Sequence, residues 1–199
     1  MRKIKVIVLF MLIVLAVGIL NIEKIAKGIY PYKYNSYIEM YSDKYKVDPY
    51  LVLAIIKAES NFDENAKSHR NAIGLMQLTP ETAEWISIKL KMKDFSEDIL
   101  YKPEINISMG SWYVNDLKKE FKNNLDLMLA AYNAGRGNVG KWLKDSNYSD
   151  DGKKLKYIPF KETDKYVKKV KVNYNIYKSL YGTEKKSKIE ILKLVLKNF

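Results

Sequence analysis

Glu59 closes an apolar run, Leu51-Val52-Leu53-Ala54-Ile55-Ile56, followed by Lys57 and Ala58, and Gly74-Leu75-Met76-Gln77 begins fifteen residues after it. A carboxyl group on an apolar helix face is costly to ionise, because burial removes the charged form from water and raises the pKa. A carboxylic acid that keeps its proton near neutral pH is able to protonate the oxygen of a leaving group, and cleavage of a glycosidic bond demands that step. A solvated Glu at a helix end is the commoner fate of this residue type, so the reading depends on the company Glu59 keeps. Gly74 suits a sharp turn or a close approach of the backbone to a ligand. Met76 and Gln77 fit a groove wall, with the thioether against a sugar face and the amide bonding acetamido or hydroxyl groups; Met76 taken alone is more often core. Tyr132 and Asn133 stand at the C-terminal end of an apolar segment where Gly135 lets the chain leave, so both side chains are expected at a cleft. A buried Tyr with one structural hydrogen bond is the alternative.

The elements that must position these residues read as successive helices, with no sustained alternation of apolar and polar residues to suggest a sheet. Asp48-Pro49 is a helix start, Asp as N-cap and Pro at the first helical position, and it launches the run that ends in Glu59. Thr79-Pro80-Glu81 repeats the signal, and Pro103 opens a helix in which Ile105, Met109, Trp112, Tyr113 and Leu117 recur at helical spacing. Leu125 to Ala134 forms another, stopped by Gly135 and Gly137, and a long one follows Thr163, with Tyr166, Val170, Tyr174 and Tyr177 on one stripe. The expected fold class is all-α.

At 199 residues the chain has room for one compact domain and little more. Its 35 Lys and Arg against 23 Asp and Glu give a formal charge of +12, a field that favours anionic lipid, an acidic wall polymer or nucleic acid. No RNA-binding aromatic motif, zinc-finger spacing or helix-turn-helix accompanies the charge, so nucleic acid is not the expected partner. The absence of cysteine removes disulfide frameworks, thiolate zinc sites and Cys nucleophiles from consideration. The single histidine, His69, lies in a polar stretch that reads as an exposed loop, and it is too few for a multi-histidine metal site.

Arg2, Lys3 and Lys5 precede an uncharged run from Val6 to Leu20. This is an export signal, and residues 1–22 are read as a signal anchor or a signal peptide. The run is slightly short of the ~20 residues of a spanning helix yet long for a signal-peptide core. Ala16-Val17-Gly18 resembles a cleavage site, but Ile19 and Leu20 continue the apolar run past it, which favours an uncleaved anchor over secretion. The basic residues then stay in the cytoplasm and the rest of the chain lies outside. Residues 23–35, with Gly28 and Pro31, read as a stalk. Residues 183–199 read as a basic amphipathic tail, suited to an anionic membrane surface, to packing on the domain or to a partner.

Five motif segments in order make the chain similar to the soluble lytic transglycosylase family, whose lysozyme-like catalytic domain cleaves bacterial peptidoglycan. They are Glu59-Ser60, Gly74 to Pro80, Asn106-Ile107 with Gly110 and Trp112-Tyr113, Ala131 to Gly135, and Glu162-Thr163 with Tyr166-Val167 and Val170. The resemblance covers roughly Tyr30 to Tyr181 and implies a catalytic domain at 36–182 with a substrate groove. It implies no metal and no organic cofactor, and peptidoglycan glycan strands as the partner. Glu59 becomes the catalytic acid, and Tyr132 the tyrosine whose hydroxyl bonds it. Ser68, Gly74, Met76, Gln77 and Asn133 become substrate-binding or supporting residues. Glu162 becomes a second acidic position that holds the groove, and Ser60 is structural. Thr163 looks like an N-cap. Lys102 departs from the family, which usually has Asp there, so the helix after it loses its best cap.

Most glycosidases use two carboxylates, and here only Glu59 stands out; Asp63 is one turn on, but Phe62 and the polar run after it end the helix first. The family's reaction suits a single acid. Glu59 protonates the oxygen of the β-1,4 link between N-acetylmuramic acid and N-acetylglucosamine, then takes the proton of the C6 hydroxyl that attacks C1, which leaves a 1,6-anhydromuramyl end. A lysozyme-type hydrolase and a non-catalytic peptidoglycan-binding module are the alternatives.

Overall fold

The computed structural model describes residues 2–183 and 187–196. The helices among them are, in order, α1 (Arg2–Leu20), α2 (Ile22–Ile29), α3 (Asn35–Tyr45), α4 (Pro49–Glu59), α5 (Pro80–Lys89), α6 (Pro103–Glu120), α7 (Leu125–Ala134), α8 (Arg136–Lys144), α9 (Lys161–Tyr181) and α10 (Lys188–Leu196), with a 3-10 turn at Glu97–Tyr101 before α6. Among the described residues β structure is confined to isolated bridges, Lys67 with Ile73 and Ile73 with Leu78. The expected all-α class is what the chain forms. It divides into two units, residues 1–32 with 174–199, and residues 33–173, the boundary falling within α9.

In the unit of residues 33–173, α4 is the central element. Leu51 to Ile56 are all buried, and a helix that is apolar on every side belongs in the middle of a core. Burial overrides the weak helix preference of Val52, Ile55 and Ile56. Asp48 caps α4 by accepting from the Tyr50 amide at 2.8 Å, with Pro49 at the first position. Thr79 caps α5 by accepting from the Thr82 amide at 3.3 Å, and Asn124 caps α7 through the Leu127 amide at 3.2 Å. Lys102 gives α6 no side-chain cap. α3 packs on α4, and Lys169 and Asn173 of α9 donate to its carbonyls at Ala58 and Ala54. Ile38 of α3, Ile107, Val114 and Leu117 of α6, Leu127 to Ala131 of α7, and Val167 and Val170 of α9 are buried with it.

Two expectations about elements need correction. Gly137 does not stop a helix: Gly135, at φ +88°, ends α7, and α8 begins at the next residue, burying Val139 and Trp142. Thr163 is not the N-cap of α9, which starts at Lys161; the residue lies in the first turn, buried, and donates from its hydroxyl to Asn133 Oδ1 at 2.8 Å.

In the other unit, the described apolar side chains of α1 are exposed except for the partly covered Ile19, and the segment read as a stalk is helical over Ile22–Ile29, with Ile22 and Ala26 buried. Tyr177 and Tyr181 of α9 donate to the backbone oxygens of Pro31 (3.3 Å) and Tyr30 (2.8 Å), and the Tyr30 and Tyr177 rings meet edge to face at 5.6 Å. α10 packs against α2 and α1 and buries Ile191 and Val195. The parts of the basic tail at 184–186 and 197–199 lie outside the described residues.

Candidate active site

Glu59 is the last residue of α4. The helix stops there because Asn61 and Phe62 take left-handed backbone conformations, φ +52° and +68°, and Phe62 turns into the core. Ser60, the C-cap, ties this end to the following loop by donating from Oγ to the Leu75 carbonyl at 2.9 Å, the structural role expected of it. Glu59 keeps part of its surface open while its carboxyl is enclosed by protein. Burial pushes the carboxyl pKa up from 4.5 to about 7, against the smaller pull of the Tyr166 hydroxyl and the Lys169 ammonium. Lys169 is fixed nearby by donating to the Ala58 carbonyl at 2.9 Å.

The tyrosine beside the acid is not the one expected. The Tyr132 hydroxyl donates to the Met76 carbonyl at 2.8 Å; the Tyr166 hydroxyl is the group that acts on the Glu59 carboxyl. Tyr166 is buried, and its hydroxyl completes no hydrogen bond of good geometry. Both tyrosines feel the Glu59 charge, and burial holds both phenols well above their usual pKa. Tyr166 was legible as a motif residue and as part of a helical stripe; what the sequence lacked was the rotation of α9 that turns it toward Glu59.

The loop from Ala66 to Leu78 forms a wall whose chemistry is mostly backbone. Gly74 sits at φ +76°, and a Cβ there would collide with the Asn106 side chain and the Leu100 carbonyl, so this glycine serves a close approach of protein to protein. Asn106, buried on α6, accepts from the Met76 amide at 2.7 Å and donates to the carbonyls of Ile73 and Leu100 at 2.9 and 2.8 Å. Met76 is fully buried with its thioether against Gly110, so it does not offer that thioether to a sugar. The Gln77 side-chain amide nitrogen donates to the carbonyls of Ala66 and Gly74 at 3.1 and 3.0 Å; those donors close the loop, and Oε1 is what remains for a ligand. Ser68 Oγ accepts from the Arg70 and Ala72 amides at 3.2 and 3.0 Å. It therefore shapes its own turn.

A cleft of about 450 Å³ gathers other candidates, with Arg70, Asn133, Asn138, Phe160, Glu162 and Thr163 in its wall. Asn133 is oriented by Thr163, and the exposed Glu162 stands 4.0 Å from Arg70. Sequence reasoning passed over one constellation. The Arg136 guanidinium lies 4.6 Å from the Trp85 ring centre and 5.5 Å from that of Tyr113, and it is bound by Asp116 (2.5 Å) and Glu120 (3.0 Å). Trp85 continues to Trp112 at 5.4 Å, and Tyr113 to Tyr132 at 5.4 Å. The signal was present in Arg136, directly after Gly135 where α8 starts, but its partners are 16 to 51 residues away and share no local pattern.

Chemically, the arrangement offers one protonated carboxylic acid at a helix end. Among the described residues no second carboxylate acts on Glu59. Asp63 accepts from the Asn65 amide, and Glu64 accepts from the Tyr34 hydroxyl. No cluster of three or more His, Cys, Asp or Glu suited to a metal occurs among the described residues.

Glu59 itself is not in the wall of the cleft at Asn133 and Glu162, but an all-helical domain built around a buried helix that ends in a single carboxyl of raised pKa has the make-up of a lysozyme-like fold. Residues 36–155 match the transglycosylase SLT domain model, and the chain belongs to that family. The soluble lytic murein transglycosylase of Escherichia coli (strain K12) is 35% identical over 150 residues, which cover 74% of this chain and 23% of that protein. The membrane-bound lytic murein transglycosylase C of Mannheimia succiniciproducens is 37% identical over 116 residues, 54% of this chain and 32% of that one. The structure of an inactive glutamate-to-glutamine mutant of the lytic transglycosylase Slt from Pseudomonas aeruginosa superposes with a TM-score of 0.66 at 30% identity, covering 78% of this chain and 25% of that one. The chain thus spans about a quarter of the length of the soluble relatives it matches.

Proposed function

We propose that the chain is a peptidoglycan lytic transglycosylase, held at the outer face of the cell membrane by α1. The observation that carries the reaction is Glu59, a lone carboxyl with a pKa of about 7 and, among the described residues, no carboxylate partner acting on it. Most inverting and retaining hydrolases use a second carboxylate at a set distance. A lone acid suits an internal displacement. Glu59 gives its proton to the bridging oxygen as the C1–O bond of N-acetylmuramic acid breaks, and the substrate's acetamido oxygen supports C1. The resulting carboxylate accepts the C6 hydroxyl proton as O6 bonds to C1, which regenerates the acid and closes a 1,6-anhydro ring without water. Relatives named as lytic murein transglycosylases support this reading, as does the inactivity of the glutamate-to-glutamine mutant of Slt. Asn133, Glu162, Ser68, Gly74, Met76, Gln77 and Tyr132 support the groove, most of them by fixing its walls.

The anchor reading is supported by the window Lys3–Leu20, whose mean hydropathy is 2.7 and none of which is buried. Arg2, Lys3 and Lys5 would remain in the cytoplasm.

Mass spectrometry of muropeptides released from purified peptidoglycan tests the reaction, with Glu59→Gln run alongside. Products lighter than lysozyme products by one water, and absent with the variant, are expected. Reducing ends would mean hydrolysis, and no release at all would mean a binding module.

A further inference from the structure

α10 has more apolar surface than its own unit covers. Ile191 and Val195, four residues apart, form its buried face. Ile189 and Leu196, seven residues apart, share a different face and are 61% and 62% exposed, with Leu192 between them on the same side. Ile25 of α2 is also exposed, at 48%. An apolar stripe left open to water beside an already buried face is costly, and among the described residues nothing covers the Ile189 and Leu196 side chains.

What meets that stripe follows from α1. Its 18-residue apolar window is about 27 Å long at about 1.5 Å per residue, close to the ~30 Å of a bilayer's hydrocarbon core. Its last turn therefore emerges at the membrane surface. Gly18 and Ile19 are partly covered, whereas the other described side chains of α1 are exposed. The helices that pack on α1 are α2 and α10, so both gather where the span leaves the lipid. We infer that α10 is a second membrane element, an interfacial helix whose Ile189, Leu192 and Leu196 face enters the boundary between headgroups and acyl chains. The exposed Lys193 at the margin of this face and Lys24 on α2 are placed to meet lipid phosphates. This inference rests on the anchor reading of α1.

The chain has no cysteine, so single substitutions carry a unique label. The full chain with a nitroxide at Ile189→Cys, Leu196→Cys, Met11→Cys in α1 or His69→Cys in the exposed loop is reconstituted in vesicles of phosphatidylethanolamine and phosphatidylglycerol. Electron paramagnetic resonance then compares collisions with oxygen and with a water-soluble nickel chelate. The labels at 189 and 196 are expected to be shielded from nickel several-fold relative to 69, and less deeply placed than 11. A shielded label at 11 with labels at 189 and 196 as open to nickel as 69 would overturn the inference and leave the anchor standing. A label at 11 open to nickel would remove the anchor and the inference together. Dipolar broadening between labels at 189, with no gain in oxygen contact, would replace lipid with a second copy of the chain.

Discussion

Glu59 trades stability for a usable proton. Its folded pKa of about 7 lies above the ordinary 4.5, so the native state binds this proton more tightly than the unfolded chain does. The stabilisation from the proton is fully present below the unfolded value and is lost as pH rises from there to about 7. Glu59→Gln removes this titration and is expected to exceed the wild type in stability above pH 7, by on the order of 3 kcal/mol, and to match it near pH 4. Thermal melts of both proteins across this range check it, and activity should drop by about 10²–10⁴ in the same variant. Tyr166 works in the opposite sense, since its hydroxyl lowers the acid's pKa. In Tyr166→Phe the alkaline limb of the activity profile should move to higher pH. The melting temperature should change little, because that buried hydroxyl completes no hydrogen bond of good geometry. Equal pH profiles for the two proteins would remove Tyr166 from the site.

At the level of elements, α6 is the helix with an evident defect. Lys102 supplies no cap, and Lys102→Asp should raise stability by about 1 kcal/mol in urea denaturation. Local chemistry made much of the fold legible. Asp48-Pro49, Thr79-Pro80 and Pro103 each mark the true start of a helix, and Leu125 to Ala134 is α7 to the residue. Local signals failed where tertiary contacts decide. α8 has a short apolar pattern, essentially Val139 and Trp142, interrupted by Gly137 and Gly140, and only packing makes it a helix. Thr163 has the chemistry of a cap, but its hydroxyl is engaged by Asn133, 30 residues earlier. Met76 and Gln77 were expected to face a sugar, but the direction of their side chains, inward and spent on the loop, depends on Asn106, Gly110 and Gly74.

For the whole molecule, the exposed apolar α1 and the charge of +12 suit the proposed place of the chain against an anionic envelope. The full-length chain is expected to stay with the membrane pellet after alkaline carbonate washing, as an integral protein does; release into the supernatant would point to cleavage of the segment. Sequence separation within the site has a further bearing on how such a chain is made. The Met76 peptide is held by side chains 30 and 56 residues later, and the carboxyl at 59 acquires its environment from residues 166 and 169. Contacts this distant in the chain form late, after the intervening segments have been synthesised and packed. If the chain is exported from its N-terminal end, as proposed, Glu59 would arrive outside well before residues 166 and 169 that complete its surroundings. On the proposed reading, an export intermediate would lack the tuned acid, and the cell would be spared an early, unregulated cut in its own wall.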